Sequence, residues 1–151
     1  MLSRKEAINK IFDKHGDSIY VTNTGYISRA VYNEYPNNKN IFYMQGSMGL
    51  APCIGLGMAI NTDKDVVVLS GDGALLMHLG ITHTIRDENL NNLFVYVLDN
   101  GCHESVGEYK CSYLEDWYSG ITEIVQISND GKTDRVNLDC ETNTKQIKEL
   151  F

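Results

Sequence analysis

The middle of the chain carries two apolar runs, each followed by a short polar turn. The first run, Val-Val-Val-Leu at residues 66–69, leads through Ser70 into Gly-Asp-Gly. The second, at residues 93–98, leads into Asp-Asn-Gly, and leucines at helical spacing lie between the two runs. Continuous apolar runs of this length, rich in β-branched residues, indicate buried strands. The pattern therefore predicts a strand, a turn, a helix and a second strand.

The flanking segments extend this pattern in both directions. Ser3 and Glu6 form a capping box in front of a helix predicted at residues 4–14. We further predict strands at residues 18–22 and 121–128, a short strand at 135–138, and helices at 26–32, 47–60, 75–85 and 142–151. Strands that alternate with helices are typical of an α/β fold with a mostly parallel sheet.

Polar residues follow both central strands. Asp72 comes after the first strand and Asn100 after the second. Because ligands of parallel α/β sheets bind outside the carboxyl ends of the strands, we expect these two side chains to be neighbours. A carboxylate and an amide oxygen suit Mg²⁺ that also holds phosphates. Gly71 and Gly73 let the backbone approach such a ligand closely. This edge is therefore predicted to bind a metal and a polyphosphate.

The spacing of these residues resembles a known motif. Gly71-Asp72-Gly73, then 26 residues, then Asn100 is similar to the thiamine-diphosphate motif, which opens with Gly-Asp-Gly and closes with Asn. Three stretches narrow the resemblance to the diphosphate-binding (PP) domain of the phosphonopyruvate decarboxylase and sulfopyruvate decarboxylase beta subunit family: TGYISR at 24–29, FYMQGSMG at 42–49 and DNGCHES at 99–105. The resemblance implies a three-layer α/β/α sandwich that binds thiamine diphosphate and Mg²⁺.

The same resemblance implies roles for individual residues. The metal would be held by Asp72, Asn100 and the backbone carbonyl of Cys102. Gly46 and Met48 would hold the aminopyrimidine ring, although Met48 without this motif would be read as a core side chain. Thr24 would contact the terminal phosphate or cap the next helix. The predicted cofactor-binding residues are Thr24, Gly46, Ser47, Met48, Gly71, Asp72, Gly73, Ala74, Asn100 and Cys102.

Two titratable side chains follow the motif directly. His103 and Glu104 are candidate catalytic residues that would bind substrate or move protons, and surface polarity is the competing interpretation. Residues 107–109 read Gly-Glu-Tyr where relatives often have Gly-Gly-Gln. A carboxylate at Glu108 beside a site for a dianionic substrate would be unfavourable unless it points away.

Composition excludes several classes of protein. With 151 residues, 42% of them hydrophobic and 22% charged, the chain is expected to form one domain, a PP domain spanning residues 1–151. A net charge of −7 without a Lys/Arg cluster argues against nucleic acid as a partner. Residues 41–60 are uncharged but are interrupted by glycines and Pro52, which argues against a membrane span. The first six residues lack the apolar core of a signal peptide, so we expect a cytoplasmic protein.

The cysteine pattern points to free thiols. Cys53, Cys102, Cys111 and Cys140 contain no Cys-x-x-Cys spacing, so neither a zinc site nor a dense disulfide framework is predicted. The less favoured alternative is a metal site with Cys102, His103 and Cys111 as its three ligands.

The resemblance also implies a partner. In this enzyme class a glutamate of a pyrimidine-binding domain activates the cofactor, and that domain is not found within these 151 residues. We therefore expect an alpha-type subunit to supply it, in a homo- or hetero-oligomer. The expected activity is decarboxylation of a 2-oxo acid, phosphonopyruvate or sulfopyruvate. The alternatives are a carboligase half similar to acetolactate synthase and a non-catalytic cofactor-binding or regulatory module.

Overall fold

The fold is organised around a parallel sheet. The computed structural model describes residues 1–112 and 120–151. Its strands are β1 (Ile19–Thr22), β2 (Ile41–Tyr43), β3 (Val66–Gly71), β4 (Leu93–Asp99), β5 (Cys102–His103), β6 (Tyr109–Lys110) and β7 (Glu123–Gln126). In the described residues, five of them form one sheet in the order β2-β1-β3-β4-β7, and every neighbouring pair is parallel. The short strands β5 and β6 pair antiparallel.

Helices connect the strands. They are α1 (Arg4–His15), α2 (Tyr26–Glu34), α3 (Ala51–Ile60), α4 (Asp72–Met77), α5 (Ile81–Glu88) and α6 (Cys140–Lys148), with a short 3-10 turn at Glu104–Val106. The predicted capping box is present at the start of α1, where the Ser3 side chain accepts from the Glu6 backbone and the Glu6 side chain accepts from the Ser3 backbone. The α/β fold with a mostly parallel sheet is confirmed.

The sheet is buried on both faces. Alternate side chains of β1, β3 and β4 belong to two different clusters, because successive residues of a strand point to opposite faces. One cluster packs Tyr20, Val67 and Tyr96 against α1 and α2. The other packs Val21, Val68 and Val95 against α3 and α5. Helices therefore cover both faces, which explains why the central strands read as unbroken apolar runs.

Gly55 lies where α3 packs closely against β3. A Cβ atom at this position would lie 2.3 Å from Cγ2 of Val68 on β3, well inside van der Waals contact. Only glycine lets the helix pack this closely on the sheet, so the small residue predicted to mark close packing does so here.

Several predicted elements differ from the observed ones. Residues 135–138 are not a strand: Val136 and Leu138 pack against the cluster under α1 and α2 without pairing, so their alternation reflects burial alone. The single helix predicted at 75–85 is two helices, because the chain turns at residues 78–80. The helix predicted from 47 begins at Ala51, and the closing helix begins at Cys140, where the side chain of Asp139 caps it.

Strand β2 and the β5–β6 pair have no counterpart among the sequence predictions. Each is only two or three residues long. Segments this short carry too few positions for a period to be recognised.

Candidate functional site

An open cavity lies at the carboxyl ends of β1, β3 and β4. The sheet brings three separate segments to this edge: the turn after β1, the start of α4 after β3, and the loop after β4. Ten of the predicted site residues line the cavity, namely Thr24, Met48, Gly71, Asp72, Gly73, Ala74, Asn100, Cys102, His103 and Glu104. The expected meeting of Asp72 and Asn100 at one edge is thus observed.

Asp72 is a buried carboxyl group in the cavity. It is the first residue of α4 and is only 3% exposed. Burial raises the pKa of its carboxyl, while hydrogen bonds from the Gly73 backbone and the Cys111 thiol act in the opposite direction. Among the described residues, its buried Oδ2 has no hydrogen-bond partner. A buried carboxylate oxygen without a partner is costly, so this atom fits a site for a cation.

Asn100 supplies a second oxygen. Its Oδ1 accepts from the Cys102 backbone amide at 3.3 Å, a long hydrogen bond, and its Nδ2 donates to Oε2 of Glu104 at 2.9 Å. Cys102 lines the same cavity. Oxygen donors of this kind are the ligands that Mg²⁺ prefers, so the residues present fit that metal.

Gly73 lies beneath the loop that follows β4. A Cβ atom here would be 2.5 Å from Nδ1 of His103 and 2.9 Å from Sγ of Cys111. Any other residue would push the loop away, so glycine is required for this close approach. Burial and the neighbouring Asp72 raise the pKa of the Cys111 thiol to about 12, so it stays protonated.

Two predicted residues do not line the cavity. Gly46, with φ +73°, and Ser47 belong to the bend that leads into Met48, and Gly46 is exposed. The bend is tied to the turn after β1 because the Gly49 amide donates to Oδ1 of Asn23 at 3.2 Å. Asn23 is buried and was not predicted from the sequence, although a polar residue at a strand end is the signal that would have found it.

The alternative role for Thr24 as a helix cap is wrong. Gly25 is the residue before α2, and no side chain caps this helix. Thr24 instead lines the cavity, and its carbonyl accepts from Nδ2 of Asn23 at 3.3 Å.

Arg4, Tyr26 and Ser105 also line the cavity without having been predicted. Arg4 lies 100 positions from its partner Glu104 along the chain. No local pattern signals a contact at that separation, so only the folded structure reveals it.

Glu104 lies at the side of the cavity in a network of donors. Its side chain is 6% exposed and forms an ion pair with Arg4, whose side chain is 2% exposed. Glu108, by contrast, is exposed, has a φ of +58° and is not among the cavity-lining residues. Its carboxylate therefore does not line this cavity.

All four cysteines belong to the described residues. Cys53, Cys102, Cys111 and Cys140 are all free. The described residues contain no cluster of three or more His, Cys, Asp or Glu side chains able to hold a metal, so the thiol-rich metal site is not formed there. None of the helices in residues 1–112 and 120–151 is long and apolar enough to cross a membrane.

Comparison with protein families places the chain in one of them. Residues 21–136, well over half of the chain, match the model of the thiamine pyrophosphate enzyme C-terminal TPP-binding domain. The chain belongs to this family. As in the sequence prediction, the TPP-binding domain carries the Gly-Asp-Gly and Asn of the motif at the ends of β3 and β4.

Relatives of this TPP-binding domain are decarboxylases. It is 41% identical over 115 residues to sulfopyruvate decarboxylase subunit beta of Methanothermobacter thermautotrophicus, covering 76% of this chain and 61% of that protein. It is 44% identical over 91 residues to phosphonopyruvate decarboxylase of Streptomyces viridochromogenes, covering 60% of this chain and 23% of that protein. The matched region thus spans about six-tenths of the beta subunit and a quarter of the longer relative.

A solved structure has the same fold. A protein of Mycobacterium smegmatis described as a thiamin diphosphate-dependent enzyme superposes with a TM-score of 0.62 at 18% identity, covering 76% of this chain and 24% of that one. At this identity the likeness supports the TPP-binding fold and nothing finer.

Proposed function

We propose that this TPP-binding domain is the diphosphate-binding half of a Mg²⁺-dependent decarboxylase of 2-oxo acids. The observation that carries the proposal is the buried Oδ2 of Asp72, which has no partner among the described residues and lies in a cavity that Asn100 also lines. A carboxylate held in this way is stabilised when a divalent cation binds.

The residues divide between the metal and the cofactor. Asp72, Asn100 and the Cys102 carbonyl would hold Mg²⁺. The diphosphate would contact Thr24, Gly73 and Ala74, with Gly71 allowing its close approach. The aminopyrimidine ring would be held by Gly46, Ser47 and Met48. This division is supported by the cavity that most of these residues share and by the family to which the chain belongs.

The substrate assignment follows the relatives. Bound thiamine diphosphate would supply a thiazolium ring that accepts the electron pair left when CO₂ departs. A 2-oxo acid with a 3-sulfo or 3-phosphono group would lose CO₂, take up a proton and leave as an aldehyde. His103 lines the cavity next to Gly73 and is the candidate proton donor.

A second domain would complete the proposed site. Residues 1–151 are proposed to act as one PP domain, and a pyrimidine-binding domain on an alpha-type subunit would contribute the activating glutamate. The beta-subunit names of several relatives support a divided active site. The cytoplasm, where such a subunit would meet soluble 2-oxo acids, is the proposed location.

Carbon dioxide release tests this function. We expect the chain, mixed with a pyrimidine-domain protein encoded beside its gene, thiamine diphosphate and Mg²⁺, to release CO₂ from sulfopyruvate or phosphonopyruvate and much more slowly from pyruvate. The mixture with Asp72→Asn is the negative control. Acetolactate formed from pyruvate as the main product would support the carboligase instead. Cofactor binding without turnover of any 2-oxo acid would support the non-catalytic module.

A further inference from the structure

Both oxygens of Glu104 accept hydrogen bonds. Its Oε2 accepts from Nδ2 of Asn100 at 2.9 Å and is also paired with Arg4. Its Oε1 accepts from the backbone amide of Gly131 at 2.9 Å. With three donors on two oxygens and a 6% exposed side chain, this carboxylate is committed to its neighbours rather than open to a substrate.

We propose that Glu104 is a positioning residue, which fixes the amide of Asn100 so that its oxygen faces the metal site. This inference rests on the proposed function, and it replaces the proton-transfer role expected of Glu104 with a geometric one.

The chemistry of the two groups dictates the orientation. A carboxylate only accepts hydrogen bonds, whereas an Asn amide has one donor side and one acceptor side. Asn100 must therefore turn its NH₂ toward Glu104, and its Oδ1 is left on the opposite side of the planar amide. Without Glu104, the hydrogen bond from the Cys102 amide to Oδ1, which is long at 3.3 Å, would have to hold this orientation. Only one of the two orientations of the amide presents an oxygen ligand.

Arg4 holds the carboxylate in place. Its backbone amide donates to Oδ2 of Asp130 at 2.5 Å, its Nη1 donates to the Gly131 carbonyl at 3.4 Å, and its guanidinium lies 5.5 Å from the ring centroid of Tyr26. A guanidinium only donates hydrogen bonds, so it too requires an acceptor at position 104. Glu104 is thus fixed from α1 and from the loop at residues 129–131 together.

A double-mutant cycle on Asn100 and Glu104 tests the proposal. Calorimetry would measure Mg²⁺-dependent binding of thiamine diphosphate by the chain with its pyrimidine-domain partner. In Glu104→Gln the glutamine NH₂ would meet a donor in either orientation, the Gly131 amide on one side or Arg4 and the Asn100 amide on the other. The hold on Asn100 is thereby weakened, and we expect binding to fall about tenfold. Glu108→Gln removes the same charge from an exposed site in the same loop and is expected to change binding less than about twofold.

Asn100→Asp supplies the decisive comparison. Aspartate presents an oxygen in either orientation and needs no orienting partner. In the Glu104→Gln background we expect it to restore binding to within about threefold of the wild type, since the introduced glutamine can donate to the introduced aspartate. In the wild-type background two carboxylates would face each other, so binding should weaken. An equal effect of Asn100→Asp in both backgrounds would overturn the proposal, as would wild-type affinity in Glu104→Gln.

Nuclear magnetic resonance separates this inference from the proposed function. In the cofactor-free wild-type chain, we expect the side-chain amide protons of Asn100 to exchange slowly with solvent, because Nδ2 is hydrogen-bonded to a carboxylate. Rapid exchange, as in a free amide, would overturn the positioning role. Failure of the wild-type chain and its partner to bind thiamine diphosphate would instead overturn the proposed function, and the exchange rate would still decide the position of Asn100.

Discussion

Asp72→Asn is expected to weaken Mg²⁺-dependent binding of thiamine diphosphate at least about 100-fold, since even indirect partners of metal ligands cost about 10–100-fold when removed. The same change should raise the melting temperature of the cofactor-free chain at neutral pH. The charged carboxylate is buried, with one oxygen lacking a partner among the described residues, whereas asparagine keeps the shape without the charge. Function and stability are thus expected to move in opposite directions.

The stability difference between Asp72→Asn and the wild type is expected to depend on pH. Burial raises the pKa of Asp72 above its ordinary value of 3.8. A carboxyl with a raised pKa in the folded state opposes folding once it ionises, so its cost is absent below the unfolded pKa and complete above the folded pKa. The melting temperature of Asp72→Asn relative to wild type should therefore rise between acid and neutral pH, by about 2–4 °C for each kcal/mol.

Calorimetric binding at neutral pH, and thermal unfolding over a pH series from below 3.8 up to neutral, check both effects. Asp63→Asn, in the exposed turn before β3, is the matched control and should leave binding and melting temperature unchanged. Retention of tight Mg²⁺-dependent binding by Asp72→Asn would show that the metal site has been assigned to the wrong residues.

Arg4→Met is expected to have the largest effect on stability, a loss of about 3 kcal/mol in the free energy of unfolding. Removing the guanidinium leaves the Glu104 carboxylate buried with a negative charge and without its cation. Two hydrogen bonds to Glu104, from Asn100 and Gly131, remain in the variant. We therefore expect a loss at the lower end of the range for breaking a buried ion pair.

Lys5→Met is the natural comparison for that substitution. Lys5 is the next residue of the same helix and pairs with Glu34, but its side chain is 64% exposed. Exposed ion pairs contribute about 0–1 kcal/mol, so urea unfolding of Lys5→Met should be close to that of the wild type. Equal midpoints for the two variants would mean that the Arg4–Glu104 pair is not buried in solution as it is in the structure.

The sequence predicts those parts of the fold that have local causes. The apolar runs at β3 and β4 are long enough to be recognised as buried strands, and they place Asp72 and Asn100 at the same edge of the sheet because parallel strands end together. The box at Ser3 predicts the start of α1 because both of its hydrogen bonds lie within one turn.

Other features depend on contacts that no local pattern encodes. From the sequence, Glu104 is interpreted as an unpaired acid beside the motif. Only the fold reveals its ion pair with Arg4, near the start of the chain. Val136 and Leu138 alternate as strand residues do, yet they pack beside α1 and α2 without pairing. Burial imposes the same alternation whether or not a neighbouring strand is present.

Binding of thiamine diphosphate through Mg²⁺ at the ends of β3 and β4 is the property on which the proposed function depends. Its most direct test is a calorimetric titration of the wild-type chain with thiamine diphosphate, with Mg²⁺ or with a chelator, first alone and then with the pyrimidine-domain partner. We predict binding that requires Mg²⁺ and is strongest with the partner present. Absence of binding under all of these conditions, with the chain folded, would contradict the proposed function.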